Sequence, residues 1–398
     1  MFNSVRLVNF FSFEDETIEL SPNLNLLVGI NASGKSNLLN AFRLLHDGLQ
    51  PNGLSNLIRR VWGGFDEIAF AGSSQMQDTI TLEFEFDYLT LNASTIKYYQ
   101  FRQNVFYRID VFNGAGSFYI EERLFTRSPG KEDFVFFVVA GNKAYVSERD
   151  VQAGKPRLKQ FDFNDRELNL PLFFDNELYA PQAHILRFLQ THLRFYYRFN
   201  SSPESKIRKR NPDVGTKRLE PDGSNLAVVL NTLEVEDLQL FNKIEASLRE
   251  VNPNFRSLKF SSDPEGRVLM IAENGFRRAI HASKLSDGTL HYLCLAVVFA
   301  TAKPGDFICL DEPELGLHPD MYLELQNWIR ANPGTVQYLL STHSADLLDR
   351  FDVEELLVID KDENGASFTR RFRAEDFADE DTLLPGQLWK RNLLGGNR

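Results

Sequence analysis

The chain has 398 residues, 43% hydrophobic and 25% charged, the balance of a globular chain with one large domain or two ordinary ones. Its formal net charge of −11 repels phosphate backbones overall, so any nucleic-acid contact needs a local basic patch. The longest apolar run, Leu293 to Ala300, falls far short of the about 20 residues of a membrane span. Met1 to Arg6 opens directly into a strand-like pattern, so no secretory signal and no membrane partner are expected. Cys294 and Cys309 both sit in apolar runs; a disulfide framework is not expected, and a reducing, cytoplasmic location fits.

In chain order, residues 2–28 read as strands, ending in the apolar run Leu24-Asn25-Leu26-Leu27-Val28 before a glycine, as a buried parallel strand does. Ser36 to His46 carries Leu38, Leu39, Phe42 and Leu45 at helical spacing. Residues 79–163 are β-rich, with Ile80, Leu82, Phe84 and Phe86 on one face and hairpin signals at Asn113-Gly114 and Gly141-Asn142. Residues 178–199 read as an aromatic-rich helix and 201–224 as a loop. Helices follow near 225 and over 236–250, then strands over 257–281 joined at Asn274-Gly275. After that, helices near 288–302, 319–331 and 344–350 alternate with strands at 307–311, 336–341 and 355–360, the pattern of an α/β parallel sheet. The reading divides the chain into a discontinuous core, 1–90 and 255–398, and an insertion, 91–254.

Gly29-Ile30-Asn31-Ala32-Ser33-Gly34-Lys35-Ser36 is a full Walker A pattern between an apolar strand and a helix, the context that motif requires. Backbone N–H groups of Asn31 to Asn37, aided by the helix N-terminus, are expected to cradle the phosphates of ATP. Lys35 would reach the terminal phosphates and the Ser36 hydroxyl would ligate Mg²⁺. Ile308-Cys309-Leu310-Asp311-Glu312-Pro313 is an apolar strand ending in two carboxylates, a Walker B arrangement. Asp311 would hold Mg²⁺ and Glu312 would polarise the attacking water.

Leu285-Ser286-Asp287-Gly288-Thr289 precedes an apolar helix and resembles the Leu-Ser-Gly-Gly-Gln signature of ABC-type ATPases. In that class the signature caps the γ-phosphate held by the opposite subunit, which implies nucleotide-binding roles for Ser286 and Gly288. Ser341-Thr342-His343-Ser344 resembles the switch-histidine loop, with His343 at the γ-phosphate. Glu314-Leu315-Gly316-Leu317-His318-Pro319 stands where the class places its D-loop. These motifs, with Asn9-Phe10, Ser12-Phe13, Asp222-Gly223-Ser224-Asn225-Leu226 and Gly386-Gln387-Leu388-Trp389, resemble the predicted-ATPase branch related to RecF, SMC heads and the OLD family. The resemblance implies a P-loop ABC-type ATPase head: an α/β fold with a mixed sheet, a β-rich N-terminal lobe and a helical insertion between Walker A and signature. Three positions depart from the pattern. Asp287 replaces a signature glycine and brings a negative charge near a phosphate, Thr289 replaces the usual glutamine, and Phe11 stands where a basic residue is common. Gln75 and Gln77 are the candidates for a Q-loop.

The long interval from Lys35 to Ser286 and the Leu-His-Pro D-loop argue against a transporter subunit, a distant alternative. The chain lacks the heptads of an SMC arm. Asp360-Lys361-Asp362 runs into Glu363-Asn364-Gly365, a hairpin turn rather than the Asp-x-Asp of a Toprim nuclease. Lys206, Arg208, Lys209, Arg210, Lys217 and Arg218 form a basic loop (206–218) after Arg194-Phe195-Tyr196-Tyr197-Arg198. It reads as a DNA contact or, on the balance of composition, as a solvated loop beside a core helix. The resemblance implies an ATP-hydrolysing, ATP-gated homodimer or higher oligomer. A separate effector protein would act with it in DNA metabolism or phage defence. A non-hydrolysing ATP-gated scaffold is the alternative.

Overall fold

The computed structural model describes residues 1–72, 78–94, 99–114, 117–128, 130, 132–149, 156–174, 176–211, 215–263, 266–332, 334–380 and 383–395. Its strands are Phe2–Phe10 (β1), Phe13–Glu19 (β2), Leu24–Val28 (β3), Thr79–Phe86 (β4), Val105–Gly114 (β5), Ser117–Thr126 (β6), Phe134–Ala140 (β7), Lys143–Arg149 (β8) and Pro156–Gln160 (β9). They continue with Leu193–Tyr196 (β10), Phe255–Asp263 (β11), Gly266–Glu273 (β12), Ile280–His281 (β13), Phe307–Leu310 (β14), Gln337–Ser341 (β15), Leu356–Lys361 (β16) and Ser367–Arg370 (β17).

These strands make three sheets. An antiparallel sheet runs β2-β1-β4-β5-β6-β7-β8-β9, a mixed sheet β10-β14-β15-β3-β16-β17, and a small one β11-β12-β13. In the mixed sheet β10, β14, β15, β3 and β16 are parallel, and only the edge strand β17 is antiparallel. Side-chain alternation divides its residues between two cores. Leu27, Phe307, Cys309, Leu339, Leu357 and Ile359 face the antiparallel lobe, the helix Lys35–Gly48 and the helix Ala180–His192. Leu24, Leu26, Val28, Ile308, Leu310, Leu340 and Val358 face the helices Leu226–Glu236, Leu238–Val251, Asp287–Ala300 and Tyr322–Arg330. Burial on both faces explains why these strands read as near-continuous apolar runs.

The two large sheets are tied at Gln337, which is fully buried. Its amide accepts from Phe2 N–H at 2.9 Å and donates to the carbonyls of Phe2 and Ser21, both at 2.8 Å. Phe2, Phe42, Phe84, Phe86 and Phe307 pack edge-on or tilted around that joint. The expected boundary at residue 90 does not divide the sheets. β5 to β9 extend the sheet of β1 and β4, and β10, from the middle of the expected insertion, pairs with β14. The helix expected over 178–199 stops at His192, because Leu193–Tyr196 is buried as a strand of the parallel sheet. Asp362 closes the expected hairpin between β16 and β17, exchanging backbone bonds with Ala366 and Gly365.

Candidate nucleotide site

Three neighbouring parallel strands deliver the site. The register pairs Leu310 with Leu340 and Ser341 with Leu27, so the loops after β14, β15 and β3 leave the sheet at one level. The carboxyl ends of parallel strands are where open α/β sheets bind ligands.

After β3 the chain curls through Ala32 (φ 64°) and Gly34 (φ 120°), and the helix Lys35–Gly48 starts. Asn31, Ala32 and Ser36 are exposed, and Ser33, Gly34 and Lys35 are buried. The Lys35 ammonium folds back on its own loop, donating to the carbonyls of Gly29 at 2.6 Å and Ile30 at 3.0 Å. Burial pushes its pKa down to about 8, against the pull of Asp311, Glu312 and Glu314. The first N–H groups of the helix have no intrahelical acceptors. Two elements brace the loop from behind. The Ser367 hydroxyl on β17 donates to the Ser33 carbonyl and lies 2.7 Å from Ser12 Oγ, which also accepts from the Asn37 amide at 2.8 Å. A Cβ at Gly34 would fall onto the Ser367 and Ser12 hydroxyls, so both the left-handed backbone and the close approach demand glycine. The Ser33 hydroxyl is buried without a hydrogen-bond partner.

At the end of β14, Asp311 accepts a hydrogen bond from the Ser341 hydroxyl, whose oxygen accepts from Glu312 N–H at 2.9 Å. Glu312 has φ 48°, a left-handed backbone costing a non-glycine residue on the order of 1–3 kcal/mol. Its carboxylate lies 3.4 Å from His343 Nε2. Burial, then the Lys35 charge, lowers the His343 pKa against the pull of Glu312 and Asp311. Glu314 is buried behind this pair. One oxygen accepts from the Thr342 hydroxyl and from His343 N–H at 3.1 Å, and the other has no partner. Burial holds this carboxyl above its usual range.

The signature segment stands apart. β13 leads through a 3-10 turn to Ser286, which caps the helix Asp287–Ala300 by accepting from Thr289 N–H at 3.1 Å. Ser286 is exposed and Gly288 partly so. Among the described residues no hydrogen bond or ion pair joins them to Lys35, Asp311, Glu312 or His343. The helix is seated on the segment after Walker B. A Cβ at Gly288 would come within 2.7 Å of the Gly316 carbonyl, and His291 Nε2 donates to the Pro313 carbonyl at 3.0 Å. Burial drives the His291 pKa down to about 4, so the ring is neutral.

Of the basic loop, Arg208 is absorbed into the fold, while Lys206, Lys209, Arg210, Lys217 and Arg218 are exposed. Arg208 is buried under the signature segment. Arg218 donates to the carbonyls of Gln190 and Leu193 at the end of the helix Ala180–His192, where a cation complements the helix dipole. Lys209 pairs with Glu204 and Lys217 with Glu236. The preceding aromatic run is core, since Arg194, Phe195 and Tyr196 are buried in β10. A DNA contact through 206–218 could therefore not use Arg208. Gln75 and Gln77 lie outside the described residues. Sequence reading missed Glu314 as a support, Ser367 as a brace, Arg208 as a core residue and His291 as a bridge. Of these only Glu314 stood inside a motif.

The family model described as "AAA domain, putative AbiEii toxin, Type IV TA system" matches residues 24–349. DNA replication and repair protein RecF of Clostridium botulinum (strain Loch Maree / Type A3) is 56% identical over 36 residues, 9% of this chain and 10% of that protein. RecF of strain ATCC 19397 / Type A is 53% identical over the same length. The match thus spans about a tenth of these curated relatives. An SmcHead solved with the C-winged helix domain of ScpA has a TM-score of 0.57 at 15% identity, covering 94% of this chain and 98% of that one. An Smc head with an extended coiled coil, bound to the C-terminal domain of ScpA derived from Pyrococcus furiosus, has a TM-score of 0.54 at 14% identity, with 95% and 98% coverage. At such identities these likenesses show the fold alone. The family match covers most of the chain, and its fold is that of an SMC head: the chain belongs to the AbiEii-like AAA-domain family, ABC-class P-loop ATPases related to RecF and SMC heads.

Proposed function

We propose that the chain hydrolyses ATP in a composite site shared by two copies, and that the ATP-closed pair acts as a switch on a separate effector protein in the cytoplasm. One copy contributes Asn31 to Asn37, Asp311, Glu312 and His343, and the other contributes Ser286 and Gly288. The observation that carries this reading is the approach of the Glu312 carboxylate to His343 Nε2 at 3.4 Å, above a Walker A loop whose lysine, among the described residues, donates to the loop's own carbonyls. The residues fit a magnesium nucleotide. The buried Lys35 charge and the exposed helix N-terminus suit phosphate, and Ser36 with Asp311 would hold Mg²⁺, which when bound neutralises phosphate charge. Glu312 would accept a hydrogen bond, and as attack proceeds the proton, from an attacking water, with His343 Nε2 standing beside the Glu312 carboxylate. Lys35 can release the Gly29 and Ile30 carbonyls for phosphate oxygens without new burial of charge.

Support for a composite site comes from Ser286, exposed on a helix N-terminus and, among the described residues, bonded to its own helix. Closure by ATP would follow because the nucleotide adds contacts that the open pair lacks, and hydrolysis removes them. The structural neighbours solved with ScpA domains support a separate protein partner. The short RecF match supports a DNA-related setting, with phage defence the alternative setting. Turnover of wild type against Glu312→Gln is the test. The expected result is a loss of about 10²–10⁴ in kcat, the range for removing a general base, with ATP-driven self-association kept or prolonged. Equal, near-zero turnover in both proteins sinks the enzyme and leaves the non-hydrolysing scaffold.

A further inference from the structure

We propose that Arg208 is a positioning residue for the ATP site of the partner copy: it sets the signature segment and cancels the charge of Asp287 that would otherwise face the incoming phosphate. This rests on the composite-site reading above. The motivating fact is an acidic residue in a segment expected to meet a phosphate. A carboxylate there opposes binding unless a cation sits beside it.

Arg208 supplies that cation from a distant stretch of chain. It stands in the 3-10 turn Lys206–Arg208, is only 6% exposed, and directs every guanidinium nitrogen to a partner. Nε donates to the Ser201 carbonyl at 2.6 Å, Nη1 to the carbonyls of Ala282 and Leu285 at 2.8 Å each, and Nη2 to the Asp287 carboxylate. Ala282 and Leu285 bracket the turn that aims Ser286, and Asp287 is the first residue of the signature helix. The guanidinium therefore fixes the loop, the cap and the helix start to one another through a planar fork that lysine cannot reproduce.

The strap carrying Arg208 is itself anchored. Phe199 packs edge-on to His291 at 5.5 Å, Ile207 lies in the core, and Asn211 exchanges backbone bonds with Arg267 of β12. On the other side the Gly316 carbonyl approaches Gly288 and the Pro313 carbonyl holds His291. The signature segment is gripped between this strap and the loop after Walker B. Arg208 is the member of that grip that carries charge. One arginine of the basic loop thus serves the nucleotide.

The test is a double-mutant cycle on the full chain, with Arg208→Gln, Asp287→Asn and both together. ATP binding to the single chain, ATP-driven self-association and steady-state KM and kcat are read for each. Arg208→Gln is expected to leave single-chain ATP binding within a factor of about two. It should weaken self-association and raise KM roughly tenfold, inside the usual range of a site-to-site coupling. In the Asp287→Asn background the same Arg208 change should cost measurably less, because no charge remains to cancel and only the positioning part is left. An equal loss in both backgrounds, or weakened single-chain binding, means a packing role only and overturns the proposal. A wild type that neither self-associates with ATP nor turns it over overturns the composite site first, a result distinct from an unrescued Arg208→Gln. Arg208→Lys, which keeps charge without the fork, should recover the charge part and not the self-association geometry. Full recovery by lysine contradicts the positioning role.

Discussion

Glu314 shows how a residue outside the proposed Glu312–His343 pair can position it. Its carboxylate accepts from both Thr342 and the backbone of His343, so it fixes the loop that aims the imidazole at Glu312. Glu314→Ala should lower kcat about tenfold with KM for ATP little changed. It should also cost on the order of 1–3 kcal/mol of stability, the usual loss when buried donors are left unpaired. Glu314→Gln keeps the accepting oxygen and should restore most of kcat. Steady-state kinetics and thermal melts of the two variants check this, and an equal kcat loss in both would mean that charge, not loop position, matters. Position 314 was legible only as a letter in a motif. The Walker residues were legible because their chemistry needs fixed types at fixed spacing, while Ser12, Ser367 and Arg208 reach the site from 355 residues apart in one pair and, in the other case, from a basic loop whose pattern suggested only a surface role.

Among the elements, the signature helix and the segment after Walker B behave as one block. Gly288 faces the Gly316 carbonyl at a distance no Cβ can share, and His291 bridges to Pro313. Gly288→Ala should therefore push the 314–318 loop outward. Self-association with ATP should weaken by about tenfold, within ordinary coupling strengths, while single-chain ATP binding holds. A titration of mass against ATP concentration decides it, and an unaffected pair would show that the two elements move independently. Most elements were legible from period and turn chemistry, including the β4 face Ile80, Leu82, Phe84 and Phe86, all buried. The error at 193–196 has a physical source. A four-residue buried strand after a helix carries no alternation to mark the change, and only pairing with β14 makes it a strand.

Across the whole molecule, two buried ionisable groups sit in different cores and respond oppositely to pH. Glu122, on β6 in the antiparallel lobe, is pushed up to about 7 by burial despite hydrogen bonds from Tyr107 and Asn169. Its folded value is above the ordinary carboxylate value, so its contribution is fully present below about pH 4.5 and is lost as pH rises to about 7. His291 is depressed to about 4 from the ordinary 6.5, so its contribution is present above 6.5 and is lost as pH falls toward 4. Each effect amounts to about 3 kcal/mol at most. Between pH 4.5 and 6.5, amide protection factors, with the intrinsic base-catalysed rate divided out, should therefore rise in β6 on acidification and fall in the helix Asp287–Ala300. Glu122→Gln and His291→Gln should each flatten only their own region, and parallel pH trends in both regions would refute this account.

Taken alone, the sequence determined the strand-loop-helix of the phosphate site, the two carboxylates after β14, the histidine after β15 and the α/β alternation of the last third. All of these are local patterns set by residue type and spacing. Tertiary structure decided the rest, because it depends on which strands pair. It joined residues 105–160 to the N-terminal sheet, set β10 beside β14, braced the phosphate loop with Ser12 and Ser367, and buried one arginine of the basic loop, Arg208, under the signature segment. The phosphate loop was written in one stretch of chain. The supports that give it a rigid shape come from long-range pairings, which no local pattern encodes.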